Sequence, residues 1–380
     1  MRIAYVSPID LAAPGGAAGH VWGIARGLAA DARVDLFCYV RGKLEVPALP
    51  QNLTLHKLSM PGSSTMQCLM ALSRESRAFL KREAVDVVYL RTFPLDYYLL
   101  SHRMAGHVPY VCEMNSMTDH EYRSLGKPLR GRLYATIEGR TLARASGWLP
   151  TTNEVANWAE RLTGRRPPTM LAPNGVDLAQ CRPHKTRAQV RAELGVPEST
   201  PVLAMAGFAD PWHGADRAIA ALAELPRPCE LWLIGDRDPE KRRPLFALAE
   251  RLGVANAVRF FPWLPPSEVA TLCGAVDVGL GALALDRKQM REVQALKGGL
   301  YLALGLPMLI NCQDLRFDDL PFVAHVDSHE PADLAKGIAA LLALPDEVRA
   351  QIRPFAEQKL SWEAIARQTR TFIDDVLRSA

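Results

Sequence analysis

Short apolar runs separated by helix-length segments recur along the chain. Residues 3–6 read as a short buried strand. The glycine-bearing loop PGGAAGH at 14–20 follows, then a helical pattern at 21–29 and a second apolar run at 34–40. Strand, glycine loop, helix, strand is how a βαβ unit opens. Further runs at 85–90, 110–114 and 147–149 are spaced by helix-length segments. That spacing predicts a parallel, doubly wound sheet.

The alternation restarts after Pro173. Strands are expected at 202–206 (with Gly207 behind it), 230–234, 258–261, 276–280 and 308–310, with a helix at 216–225. The Pro/Arg-rich piece at 165–168, leading into PNGVD at 173–177, reads as an interdomain link. The fold class is therefore α/β, with two Rossmann-like domains facing a cleft, and ligands are expected at the carboxyl ends of their strands. The expected boundaries are 1–172 and 173–361. The last segment, 362–377, is apolar at 362, 365, 366, 372, 373, 376 and 377, an amphipathic helix.

Length and composition narrow the picture further. The chain has 380 residues, 48% hydrophobic and 23% charged, which excludes a disordered or collagen-like polymer and is long enough for two cores. A net charge of +4 is too small to imply nucleic-acid binding. Seven widely spaced cysteines with no C-x-x-C fit a reducing, cytoplasmic setting, each thiol acting as a small buried hydrophobe. The start, MRIAYVSPID, reaches Asp10 too early for a signal peptide. The longest apolar stretch, 298–310, is broken by glycine and proline and is shorter than the about 20 residues a spanning helix needs.

Six segments together resemble the family 4 glycosyltransferases of GT-B fold: the PGG loop with His20, PNGVD, LWLIGDRDPE at 231–240, VRFFPWLPPSEVATLCGAVDVGL at 258–280, GGLYLALGLP at 298–307 and SWEAIARQ at 361–368. The resemblance implies a hexosyltransferase of polysaccharide or glycoconjugate synthesis. It would take a sugar from a nucleotide diphosphate-sugar donor, with retention and with no metal or other cofactor. It also implies that 362–380 crosses back onto the N-terminal, acceptor-side domain, leaving 173–361 to bind the donor.

Particular residues inherit roles from this resemblance. Gly15 and Gly16 stand between the first strand and its helix, where bare backbone N–H groups can approach a diphosphate or simply make a tight turn. Gly207 opens the second phosphate loop, MAGFADPWHGADR at 205–217. Where members carry arginine and lysine, this chain has Phe208 and His213. His213 can donate to phosphate, best as imidazolium with a pKa raised by the ligand, or serve as a loop residue beside Trp212. Aligned on A-x-G-x-P, Glu292 takes the place of the sugar-contacting glutamate and Lys297 that of the diphosphate lysine. The two would otherwise be solvated partners on one helix. The ribose-binding glutamate falls on Leu300, which accepts no hydrogen bond. Backbone groups at Trp263 and Leu264, and Gln294 near the start of the same helix, are the candidates to replace it. Asn115 stands where many members have a sugar-contacting histidine. Glu113 and Glu121 either hold acceptor groups or, for Glu113, pair with Arg91.

Other constellations read as structural: Asp236 and Asp238 as a solvated loop, and His325, Asp327, His329 and Glu330 as a loop before a helix near Pro331. Arg123, Lys127, Arg130, Arg132, Arg140 and Arg144 stand against one acid, Glu138. This face is either a solvated helix surface or a peripheral contact with the inner face of a membrane carrying a lipid-linked hydroxyl acceptor. The departures at Phe208, Leu300 and Asn115 leave a second reading open, a catalytically degenerate protein acting as a non-catalytic binding subunit.

Overall fold

In the computed structural model the described residues are 1–13, 16–44, 46, 48–93, 95–96, 108–208, 210–236 and 238–379. The chain forms two compact units, Met1–Gly175 with Trp362–Ala380, and Val176–Ser361. The boundary falls inside PNGVD.

The first unit is a six-stranded parallel sheet. Its strands are β1 (Arg2–Asp10), β2 (Arg33–Val40), β3 (Leu53–Ser59), β4 (Val87–Arg91), β5 (Tyr110–Met114) and β6 (Gly147–Pro150), in the order β3-β2-β1-β4-β5-β6. All five residues of β4 and of β5 are buried, as expected of strands covered on both faces. The described helices of this unit are α1 (Gly16–Leu28), α2 (Thr65–Arg82), α3 (Thr118–Ser124), α4 (Pro128–Leu142) and α5 (Asn153–Thr163), joined by the chain's last helix at Trp362–Ser379. Trp362 seats that last helix on α1. A Cβ on Gly23 would lie 2.2 Å from the Trp362 ring and one on Gly175 2.5 Å from it, so only glycine admits the indole at either place.

The second unit repeats the plan. Its strands are β7 (Val202–Ala206), β8 (Glu230–Asp236), β9 (Val258–Pro262), β10 (Val278–Leu280), β11 (Met308–Ile310) and β12 (Val323–His325), in the order β12-β11-β10-β7-β8-β9. Counted from its own first strand, this is the strand order of the first sheet. The helices are α6 (Arg187–Leu194), α7 (Ala215–Ala223), α8 (Pro239–Arg251), α9 (Pro266–Cys273), α10 (Leu296–Ala303), α11 (Pro331–Leu342) and the short α12 (Asp346–Arg349) and α13 (Ile352–Phe355), so that the last helix is α14. Arg191 is 1% exposed, and its guanidinium donates to the carbonyls of Ala275, Pro197 and Thr200 and to Asp277, which ties α6 to the sheet.

All seven cysteines are free thiols, six of them buried. Among the described residues no helix is long and apolar enough to cross a membrane.

Candidate functional site

A doubly wound sheet reverses its strand order once, and the crevice at the carboxyl ends of the two strands flanking that point is its natural ligand site. In the first unit the point lies between β1 and β4. Glu113, on the next strand, is fully buried there. Its carboxylate accepts from Arg91 Nη1, from Asn115 Nδ2 at 2.6 Å and from Tyr5 Oη at 3.2 Å. His20, on α1, puts Nε2 3.0 Å from Glu113 Oε1 and Nδ1 2.7 Å from Asn174 Oδ1, and its ring meets that of Trp362 edge-on at 5.2 Å. Burial pushes the Glu113 carboxyl up. The neighbouring His20 ring, the Arg91 guanidinium and the Asn115 amide outweigh it and hold the group well below the usual carboxylate range.

Glu113 is thus paired with Arg91 and fully engaged, and it is no free acceptor-binding group. It also fixes the Asn115 amide, and among the described residues no donor meets Asn115 Oδ1. Gly16 is the first residue of α1. Gly15 lies outside the described residues.

In the second unit the point lies between β7 and β10. Gly207 follows β7 at φ +68°, a left-handed conformation that favours glycine. Its carbonyl oxygen, at 3.4 Å, accepts from Lys297 Nζ. Lys297 stands in the first turn of α10, only 8% exposed, and among the described residues has no acidic partner. Burial pushes its ammonium down to about 7.

The turn Pro211–His213 is locked over the same point. Leu283 and Ala284, just beyond β10, donate their backbone N–H groups to the carbonyls of His213 and Trp212. The His213 ring lies 3.7 Å from that of Trp212, and Lys288 Nζ lies 4.4 Å from the centre of the Trp212 ring. His213 Nδ1 is buried with no partner among the described residues. Burial, then Lys297 and Lys288, push its pKa down to about 2. These surroundings favour the neutral imidazole, while the raised value expected from the sequence belongs to a ring with a diphosphate beside it. Tyr301, inside α10, fixes the geometry: its hydroxyl accepts from Ala206 N at 2.8 Å and donates to Leu280 O at 3.2 Å, reaching both flanking strands. Cationic groups without acids, beside a buried unpartnered nitrogen, suit an anion.

Several expectations need correction. Glu292 and Gln294 are not on a helix with Lys297. The helix begins at Leu296, and Glu292 pairs in an extended bridge with Gln313. Backbone bonds between Arg291, Val293 and Gln313 hold this stretch straight. Gln294 is buried within it. The N–H of Trp263 is donated to Asp236 O, and its side chain is 46% exposed. Leu264 and Leu300 pack against the domain core. Phe208 is a core residue, 3% exposed and edge-on to Phe260, so it offers no charge where the family places arginine.

Asp236 pairs with Arg242 and Asp238 caps α8. His325 Nε2 lies 3.3 Å from Phe317 O, and His329 lies against Arg217. Among the described residues no group of three or more His, Cys, Asp or Glu is placed to hold a metal. Lys288 and Tyr301 were not legible as site members, and His20 and Glu113 were read separately, not as a pair. Each depends on contacts between segments far apart in the chain.

The glycosyl transferase 4-like domain family matches residues 15–175. D-inositol 3-phosphate glycosyltransferase of Segniliparus rotundus is 32% identical over 247 residues, covering 60% of this chain and 52% of that protein. The chain thus spans about half the length of the curated relatives it matches. Sucrose-phosphate synthase from Thermosynechococcus elongatus superposes with a TM-score of 0.75 at 20% identity, covering 100% of both chains. Anabaena HepE in complex with UDP does so with 0.72 at 17% identity, covering 99% of this chain and 100% of that one.

Proposed function

From a chain whose residues 15–175 belong to the glycosyl transferase 4-like family and whose two domains have the GT-B fold, we propose a glycosyltransferase. It moves a hexose-type sugar from a nucleoside diphosphate-sugar to a hydroxyl acceptor, with retention and without a metal. The observation that carries the reading is Lys297, a buried ammonium without an acidic partner at the strand-order reversal of the second sheet. A buried charge that the protein leaves unpaired is costly, and a diphosphate removes that cost. HepE, a neighbour in fold, binds UDP, which supports the same ligand class.

Each domain has its part. In the second, Lys297 and His213 bind the diphosphate and stabilise it as it leaves, and Glu292 holds the sugar hydroxyls. In the first, Asn115 Oδ1 accepts from a substrate hydroxyl, its amide oriented by Glu113. Gly16 offers a helix N-terminus to an anion. The bond from the anomeric carbon to the phosphate oxygen breaks as the bond to the acceptor oxygen forms. The acceptor's proton passes to the departing phosphate oxygen, so no side-chain base is required.

Phe208 and Leu300 favour a second reading, a binding subunit without turnover, because neither supplies the contact the family uses. Turnover across a panel of nucleotide-sugars and acceptors separates the two. The transferase reading expects Glu292→Gln to lower kcat with the nucleoside diphosphate Kd within about twofold of wild type. Nucleotide binding with no turnover for any donor would favour the subunit. Loss of nucleotide affinity in Glu292→Gln would take Glu292 away from the sugar.

A further inference from the structure

Three leucines on the hairpin of α3 and α4 are left in water: Leu125, Leu129 and Leu133 are 62%, 77% and 58% exposed. Leu129 and Leu133 are four apart on α4 and share a face. Arg132, Thr136 and Arg140 lie on the same exposed stripe, while Tyr134, Ala135, Ile137 and Glu138 turn inward. Arg123 and Lys127, which bracket Leu125, are exposed as well. Among the described residues Arg123, Lys127 and Arg132 form no ion pair.

The acids of the hairpin form no ion pair with Arg123, Lys127 or Arg132 among the described residues. Glu138 is 3% exposed and accepts from Thr118. Asp119 accepts from Trp158 at 2.9 Å and Glu121 from Ser116 at 2.8 Å. The hairpin is also stiff. Arg130 donates to Tyr134 Oη at 2.8 Å and lies over the rings of both Tyr134 and Tyr122. A Cβ on Gly131 would come within 2.7 Å of the Tyr122 Cβ, so α3 lies close on α4.

Solvation accounts for exposed arginines, but not for three exposed leucines among them. An apolar partner accounts for the leucines, but not for Arg123, Lys127 and Arg132 beside them. Leucines that enter the headgroup–acyl boundary while cations meet lipid phosphates account for both. We propose that the α3–α4 face docks on an anionic phospholipid surface through Leu125, Leu129 and Leu133, with Arg123, Lys127 and Arg132 as the charged rim. The proposal does not rest on the transferase reading, since it uses none of the residues assigned to it.

The test is co-sedimentation of the full chain with vesicles of phosphatidylcholine alone and of phosphatidylcholine mixed with phosphatidylglycerol. The expected result is binding to the mixed vesicles only, weakening as salt rises. Leu129→Ser with Leu133→Ser, and separately Lys127→Glu with Arg132→Glu, should each weaken it about tenfold or more. Both pairs are on the surface, so the melting temperature should stay at the wild-type value. If one pair shifts it, Leu125→Ser and Arg123→Glu replace that pair. Failure to bind the mixed vesicles, or binding unchanged by either pair, overturns the proposal. So does a wild-type dimer in solution that the leucine pair abolishes, which would make the face a contact between two copies of this chain. Nucleotide binding, measured on the same preparations, reports on the transferase reading independently.

Discussion

Glu113 and Lys297 are buried charges with opposite circumstances. Glu113 is surrounded by Arg91, His20, Asn115 and Tyr5, so its ionised form is favoured in the fold. With its pKa below the ordinary 4.5, its stabilisation is in place above that pH. It is lost as pH falls through the folded-state value. Glu113→Gln leaves Arg91 buried without its carboxylate and should cost about 3–5 kcal/mol at neutral pH. Urea unfolding of both proteins should show this gap closing as pH drops below 4.5. A gap independent of pH would mean that Glu113 acts through packing alone. Lys297 has the reverse sign. Between its folded value of about 7 and the ordinary 10.5, the unfolded chain holds a proton that the fold does not, so stability rises with pH across that window.

At the scale of elements, the pairing of α1 with α14 depends on glycine. Gly23→Ala would drive a Cβ to 2.2 Å from the Trp362 ring and should cost about 1–3 kcal/mol by overpacking. Gly19→Ala, on the same helix with nothing within 4 Å, should be neutral or stabilising by up to about 1 kcal/mol. Melting temperatures of the two variants check this, and equal effects would show that the indole moves aside freely. Central strands such as β4, β5 and β7 were legible in the sequence because burial on both faces makes them mostly apolar runs, with Arg91 and Glu113 as the charged exceptions. Of the edge strands, β6 and β9 were read from their apolar runs, but β3, LTLHKLS, which carries His56 and Lys57 within its run, and the three-residue β12 were not. The extended stretch at Glu292 escaped for another reason: its partner, Gln313, is distant in sequence and lies in a loop. Gly207, His213 and Lys297 were legible as a set because short motifs carry them. His20 with Glu113, and Tyr301 with its two strands, were not, because long-range contacts assemble them.

The whole molecule repeats one strand order in two sheets and puts its unusual buried chemistry where each order reverses. In the first sheet the buried charge, Glu113, is paired within the fold. In the second it is not, and the central claim is that Lys297 awaits a diphosphate. Titration calorimetry of a nucleoside diphosphate at pH 8, in buffers of differing ionisation enthalpy, tests this most directly. At that pH the phosphate is already deprotonated and the empty protein's Lys297 is mostly neutral. Wild type should therefore bind with net proton uptake. Lys297→Met should bind more weakly by about 1.5–3 kcal/mol and take up no proton. The variant without ligand should also melt higher than wild type, since an apolar side chain of similar length has no amine to deprotonate and desolvate on folding. Equal affinity and equal proton uptake in the two proteins would contradict the account.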